Sequence, residues 1–589
     1  MPIKIEPPYW FSGMRNRELQ LMISGEELSD SEIVVNIPHT SLYRTSDVNS
    51  DYAIVDLELS EDIVPGEYNL RIDDTIIPYF IKPKRYWLET TDSISIHDSV
   101  YLLMPDRFAR GREDEPIATK VRKDPNAWHG GNLRGVIDHL DYLSKLRITA
   151  LWMTPVVENN MPNEDDRHQF SFYHGYAATD YYAIDSRFGS LDDYNDLVVK
   201  SHELGIKVIK DFVFNHCGSN HPWFHNPPMT DWFSVNKDGE PVMTNYKIST
   251  IFDPYAPLEE KEATVNGWFT PNMPNLNLHN PHLLQYMIQM TIWWIETCRI
   301  DAIRMDTYPY VDMECMIEWQ KRLQLEYPGF SVIAETWEAE AAYTAKIQET
   351  VYEAIPKCSF IVMDFAFQKK IFDMVKRGEA LGLYNHFAYD FLYRYPKRLL
   401  AFLDNHDMKR WLYEIPDPAK LRQALAILLT TPRIPQLFYG TEILLFGDGK
   451  GNEDGNYRQD FPGGWPEDMS DKFQIKNRTH SENAVFRFIS KLLSWRKKNQ
   501  DIISGRMTHY IPVDNVLVFF RESKCQKIIV VVNLANKKMR LPLGRFQKEI
   551  FSYNYGKDII TGKRYSMNID TYLPLSPNSV KILNLERYE

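Results

Sequence analysis

Carboxylates, imidazoles and an arginine gather at the ends of short apolar runs in this sequence. Asp211, Asn215 and His216 close "KVIKDFVFNH", and Arg304 and Asp306 close "DAIRMD". Glu335 follows "SVIA", and Asp404, Asn405, His406 and Asp407 follow "LLAFL". Two carboxyl groups held in opposite protonation states are the equipment of acid/base and nucleophilic catalysis. Arg304 precedes Asp306 by two positions, so on a strand the two share a face. A cation there favours the ionised carboxylate. Taken singly, each of these residues reads as a structural ion pair, a cap or a satisfied core histidine. Collected at strand ends, they point to catalysis.

The elements that must position them alternate regularly. Eight apolar runs recur: "SVYLLMPDRF", "ITALWMTPV", "KVIKDFVFNH", "DAIRMDTY", "SVIAETW", "FIVMDFAF", "LLAFLDNHD" and "IPQLFYGTE". Between many of them lie amphipathic helical stretches such as "LDDYNDLVVKSHELG" and "HLLQYMIQMTIWWIETC". Eight strand–helix units predict a closed (β/α)8 TIM barrel over residues 91–500, an α/β fold whose active site lies at the C-terminal ends of the strands. After the third strand, about 65 residues rich in Pro, Asn and Trp exceed an ordinary loop and predict an inserted subdomain at about 217–280. Residues 1–90 read as short alternating strands ("LQLMISG", "EIVVNIP", "YAIVDLEL") separated by turn residues, which predicts an immunoglobulin-like β-sandwich. Residues 501–589 repeat that character with "VLVFFRE" and "KIIVVVNL" and predict a second β-sandwich.

Composition narrows the function classes. The net charge of −13 argues against nucleic acid, whose phosphates need a basic surface, and against tight binding to anionic membranes. No apolar run is long enough to span a bilayer. The first ten residues lack the basic-then-apolar pattern of a signal peptide, which leaves the location open: cytoplasmic, or periplasmic if a leader was removed. Five scattered cysteines without a C-x-x-C pair suggest neither a disulfide framework nor a structural zinc site. Aromatic residues make up 13% of the chain, a weak hint of sugar stacking, since most such rings fill cores.

The motifs together resemble the α-amylase superfamily, glycoside hydrolase family 13, along essentially the whole chain. The resemblance rests on "DFVFNH" (Asp211–His216), "AIRMD" (Ala302–Asp306), "AETW" with Glu335, and "FLDNHD" with His406 and Asp407. Supporting blocks are "YHGY" (Tyr173–Tyr176), "MPNLN" (Met273–Asn277) and "IPQLFYGTE" (Ile434–Glu442). It implies a retaining α-glucan hydrolase with Asp306 as nucleophile, Glu335 as acid/base and Asp407 as a third essential carboxylate binding sugar hydroxyls. It further implies that His216 and His406 hydrogen-bond the same sugar ring, that Tyr176 stacks under it with His174 beside it, and that Arg304 keeps Asp306 ionised. Asp211 and Asn215 read as scaffold, and Asp404 as either.

Within the superfamily, "MPNLN", "DTYPYVDMECMIEW" and "GNYRQDFPGGW" are similar to the cyclomaltodextrinase/neopullulanase group of Bacteroidetes type. That resemblance implies cleavage of α-1,4 bonds in cyclodextrins, maltooligosaccharides and pullulan, and in some relatives a homodimer. The alternatives are a general α-amylase, a transglycosylase using the same site, and a catalytically dead sugar-binding or partner protein. The three carboxylates argue against the last. Several relatives hold calcium in the loop after the first strand. Here "DRFARGRED" puts Arg110 and Arg112 where ligands are expected, and arginine cannot ligate calcium. Glu113, Asp114 and Glu115 either compensate or form a solvated cluster. No metal ligand is therefore assigned. Asp301 stands where a glycine is usual in the second motif.

Overall fold

The computed structural model of the chain describes residues 2–46, 48–85, 92–112, 121–161, 172–447 and 454–587. Eight parallel strands close a barrel: β1 (Val100–Leu103), β2 (Ala150–Met153), β3 (Lys207–Phe212), β4 (Ala302–Met305), β5 (Ser331–Ala334), β6 (Ser359–Met363), β7 (Leu399–Ala401) and β8 (Ile434–Phe438). β8 pairs back onto β1, with Leu437 opposite Tyr101. Strands such as "VYLL" and "ALWM" are buried at every position. Both faces of a barrel sheet are covered, one by the side-chain core and the other by helices, so unbroken apolar runs are what it needs. All eight runs picked out above are barrel strands.

Local signals fix the helices between them. Leu191–Glu203 opens with a capping box, in which Ser190 and Asp193 each satisfy the other's backbone N–H. The long apolar helix Pro281–Cys298 starts with Pro281 behind an Asn280 cap whose side chain accepts from His282 N and Leu283 N. Asp301, at the foot of β4, accepts from Val208 N at 2.7 Å and from His202 Nε2 at 2.8 Å, so the side chain that replaces a glycine ties β4 to β3.

The N-terminal residues form two four-stranded sheets, with strand order Lys4–Glu6, Glu18–Ser24, Tyr52–Leu59, His39–Arg44 in one. The other runs Trp10–Ser12, Thr75–Pro83, Gly66–Ile72, Ile33–Val35. Leu21, Val55, Leu70 and Ile81 from the two sheets meet in one buried cluster. This sandwich docks on the barrel's outer helices: Gln20 N donates to Gln289 Oε1 at 2.7 Å, and Lys84 pairs with Glu326 at 2.7 Å. It also grips the insertion after β3, where Asn49 N donates to Pro228 O at 2.9 Å and Asn226 Nδ2 to Asp51 Oδ2 at 2.9 Å. The C-terminal residues build a six-stranded sheet around Lys527–Asn533 and a separate two-stranded one. The insertion itself carries only short helices and isolated bridges among the described residues, including His216–Asn275 and Phe233–Leu276. No helix among the described residues is long and apolar enough to cross a membrane.

Candidate active site

At the C-terminal rim of the barrel, one guanidinium organises the site. Arg304, fully buried on β4, places Nη1 2.6 Å from Asp306 Oδ1 and 2.9 Å from Asp211 Oδ1, and Nη2 2.8 Å from Glu335 Oε1. The alternation of strand side chains brings Arg304 and Asp306 to one face, and parallel pairing brings β3 and β5 alongside. Asp211 also accepts from Trp152 Nε1 at 2.9 Å and from Tyr176 OH at 3.0 Å. Burial, with help from Asp306, still raises Asp211 to about 7 although Arg304 and Trp152 oppose it.

Glu335 is held by a strained piece of backbone. Thr307, directly after Asp306, has φ +45°, a conformation β-branched residues rarely adopt. That turn aims its amide at Glu335 Oε2, 2.9 Å away. Burial, with help from Asp306 and Asp407, raises Glu335 to about 8 although Arg304 opposes it. Burial is the larger cause, ahead of the like charges of Asp306 and Asp407. A carboxyl so placed keeps its proton at neutral pH.

On the opposite side, Asp407 meets His406 Nε2 at 3.2 Å and Arg458 Nη2 at 3.2 Å. Burial raises Asp407 to about 6 against the pull of Arg458 and Arg304. His406 Nε2 lies 2.7 Å from Tyr176 OH, and the two rings are parallel, 5.4 Å apart. With the Tyr176 proton given to Asp211, its oxygen accepts from His406, which fixes the Nε2–H tautomer. Burial, then Arg304 and Arg458, keep His406 neutral by pushing it well below the usual histidine range. His216 Nε2 lies 2.9 Å from Tyr176 O, and burial lowers it too. His174, lowered by burial to about 3, accepts from Tyr176 N at 3.0 Å. The glycine of "YHGY" is required here: Gly175 has φ +87°, and a Cβ would sit 2.1 Å from Pro155 O.

All eight residues singled out for catalysis or substrate binding therefore lie around one rim. Asn215, whose Nδ2 donates to Tyr310 O at 2.8 Å, holds the backbone beyond β4. Asp404 Oδ2 accepts from Trp411 N at 2.8 Å, at the start of the following helix. Two residues escaped the sequence reading. Trp152 looked like strand core, and Arg458, inside the quoted "GNYRQDFPGGW", received no role. Arg458 Nε donates to His406 O at 2.6 Å while the same guanidinium pairs with Asp407. Trp337, half-exposed two residues past Glu335, adds an aromatic face beside the site, stacked on Phe365 at 5.3 Å. Phe269 and Tyr246 from the insertion form a wall next to His216, with ring centroids 5.5 Å apart for Phe269 and His216 and 5.3 Å for Tyr246 and Phe269.

Residues 102–505 match the alpha amylase catalytic domain, residues 4–85 the N-terminal domain of cyclomaltodextrinase, and residues 507–584 the cyclo-malto-dextrinase C-terminal domain. The chain belongs to the α-amylase family of glycoside hydrolases. A cyclomaltodextrinase of Thermoanaerobacter pseudethanolicus is 27% identical over 501 residues, covering 82% of this chain and 77% of that protein. Alpha-amylase 3 of Dictyoglomus thermophilum is 30% identical, covering 69% and 81%. Among solved structures, an Anoxybacillus α-amylase superposes with a TM-score of 0.69 at 27% identity, over 84% of this chain and 99% of that one. The Geobacillus thermoleovorans α-amylase, solved with acarbose, gives 0.68 at 25% identity, over 85% and 100%.

In the loop after β1, where some amylase-family members hold calcium, the described residues do not fit that ion. The Asp106 carboxylate is taken by His129 N and Gly130 N and pairs with Arg107 Nε at 3.1 Å. Asn132 Oδ1 accepts from Gly111 N and Gly135 N, and Arg110 Nη1 donates to Gly130 O at 2.7 Å. Arg110, Arg112, Arg134 and Arg187 line one cavity; among the described residues Arg187 pairs with Asp185 and Arg134 with Asp193 and Asp196. Glu113, Asp114 and Glu115 lie outside the described residues.

Proposed function

We propose that this amylase-family chain is a retaining α-glucan hydrolase acting on α-1,4 bonds of cyclodextrins, maltooligosaccharides and pullulan. The observation that carries it is the single buried guanidinium of Arg304 spanning Asp306 and Glu335, with Glu335 kept protonated by burial. Retention needs two carboxyls about 5–5.5 Å apart, one ionised and one protonated. Asp306 attacks the anomeric carbon, and Glu335 gives its proton to the departing glycosidic oxygen. The glycosyl ester on Asp306 is then opened by water, which loses a proton to Glu335. Asp407, His406 and His216 bind hydroxyls of that ring and tighten as it flattens in the transition state. Tyr176 supplies the stacking face, with His174 behind it.

The walls support the proposed substrate class. The insertion's Phe269 and Tyr246 stand over His216, and the N-terminal sandwich buttresses that insertion through Asn49 and Asp51. A cleft walled by a braced insertion favours small rings and short chains over branched polymer. The cyclomaltodextrinase and maltogenic amylase relatives support the same reading. Because specificity is a ratio of kcat/KM values, direct competition between β-cyclodextrin and soluble starch tests it. Preferred turnover of the cyclodextrin is expected. Clear preference for starch would make the enzyme a general α-amylase.

A further inference from the structure

Two motifs that mark the subgroup, "MPNLN" and "DTYPYVDMECMIEW", meet outside the catalytic rim. His279 follows the first by two residues; Asp312 and Cys315 belong to the second. The ring of His279 lies between the other two: Nδ1 is 3.8 Å from Cys315 Sγ, and Nε2 is 3.6 Å from Asp312 Oδ2. The carboxylate contact is too long for a hydrogen bond and the thiol contact is a weak one, so mutual bonding does not account for the cluster. One ligand atom from each residue can be chosen so that all three lie within 4.8 Å of one another. Beside them is an enclosed cavity of about 10 Å³, room for one water-sized sphere, lined by these three residues with Asn275, Leu276 and Val311.

We propose that His279, Asp312 and Cys315 form a zinc site of three protein ligands, with water as the fourth. Imidazole, thiolate and carboxylate together suit zinc and not calcium or magnesium, which prefer oxygen alone. Tetrahedral zinc sets neighbouring ligand atoms about 3.5 Å apart. Binding would draw the three ligand atoms, within 4.8 Å of one another here, to that spacing. Asp312 is the N-cap of the helix Met313–Glu326: Oδ1 accepts from Glu314 N at 2.8 Å, and Oδ2 lies 3.6 Å from His279 Nε2. Cys315 binds as thiolate, its proton passing to solvent.

The position gives the ion a task. Asn275 and Leu276, against the cavity, bridge to His216 and Phe233, and Leu276 N donates to Asn215 O at 2.9 Å. Val311 adjoins Tyr310, whose carbonyl accepts from Asn215. Zinc bound here pins the exit of the insertion to the chain leaving β4, behind the residues that carry His216.

The test uses the full chain, stripped of metal by a chelator and titrated with zinc alone against a chromophoric competitor. Wild type is compared with Cys315→Ser, with His279→Gln at the half-exposed position where folding is least at risk, and with Cys525→Ser as a control. One tight equivalent is expected in wild type and in the control. Both cluster variants should weaken it at least about 100-fold, the upper limit of what losing a mere supporting group costs. Cobalt substituted for zinc should show a sulfur-to-metal charge-transfer band that Cys315→Ser abolishes. Absence of a tight equivalent in wild type, equal binding in the cluster variants, or cobalt binding without that band would overturn the proposal.

Discussion

Glu335 carries the strongest residue-scale consequence. Its carboxyl, ordinarily near 4.5, stands at about 8 because it is buried beside Asp306 and Asp407. A raised native pKa means that the folded protein holds this proton more tightly than the unfolded chain does. Its contribution to stability is therefore complete below about 4.5 and is lost as pH rises through about 8. Glu335→Gln removes the titration. The variant should lose at least about 1000-fold in turnover, yet melt higher than wild type near pH 9, with the gap closing near pH 5. A Tm difference independent of pH would show that Glu335 is ionised in the native state. Arg458 makes the second residue-scale case. It touches Asp407 and the His406 carbonyl together, so Arg458→Met should displace both and cost about 100-fold in kcat/KM. Wild-type kcat/KM in that variant would mean Asp407 is held well enough by His406 alone.

At the scale of elements, the strand ends were legible because barrel strands are apolar throughout and polar only where they leave the sheet. "DAIRMD" states both the strand and its catalytic end. Trp152 was not legible, since a tryptophan in "ALWM" satisfies the core pattern whether or not its Nε1 serves Asp211. Arg458 was hidden for a different reason: it lies far along the chain from Asp407, and only barrel closure brings the loop after β8 over the end of β7. The strained turn at Thr307 left no signal at all, because nothing in "MDTYP" predicts a positive φ for threonine. The loop after β1 gives an element-scale prediction. Its backbone amides and Arg107 already take up the Asp106 carboxylate, and Arg110 donates to a loop carbonyl that a calcium ion would need. Calcium added to metal-free protein should change neither turnover nor Tm. Calcium-dependent rescue of activity would place a site elsewhere in the chain.

For the whole molecule, the β–barrel–β order was readable from the change of periodicity at either end, from alternation to strand–helix repeats and back. How the N-terminal sandwich serves the barrel was not readable, because it acts at one remove. Its hydrogen bonds go to the helix Pro281–Cys298 and to Asn226 and Pro228 of the insertion, and the insertion in turn walls the site. The proposed mechanism has Asp306 form a covalent glycosyl-enzyme that water opens from the same face. Proton NMR of a maltooligosaccharide digest, followed from the first minutes before mutarotation, measures this directly. The new reducing ends should appear as the α-anomer and relax slowly toward the β-form, and Asp306→Asn should yield neither. Products born as the β-anomer would contradict the nucleophile role of Asp306.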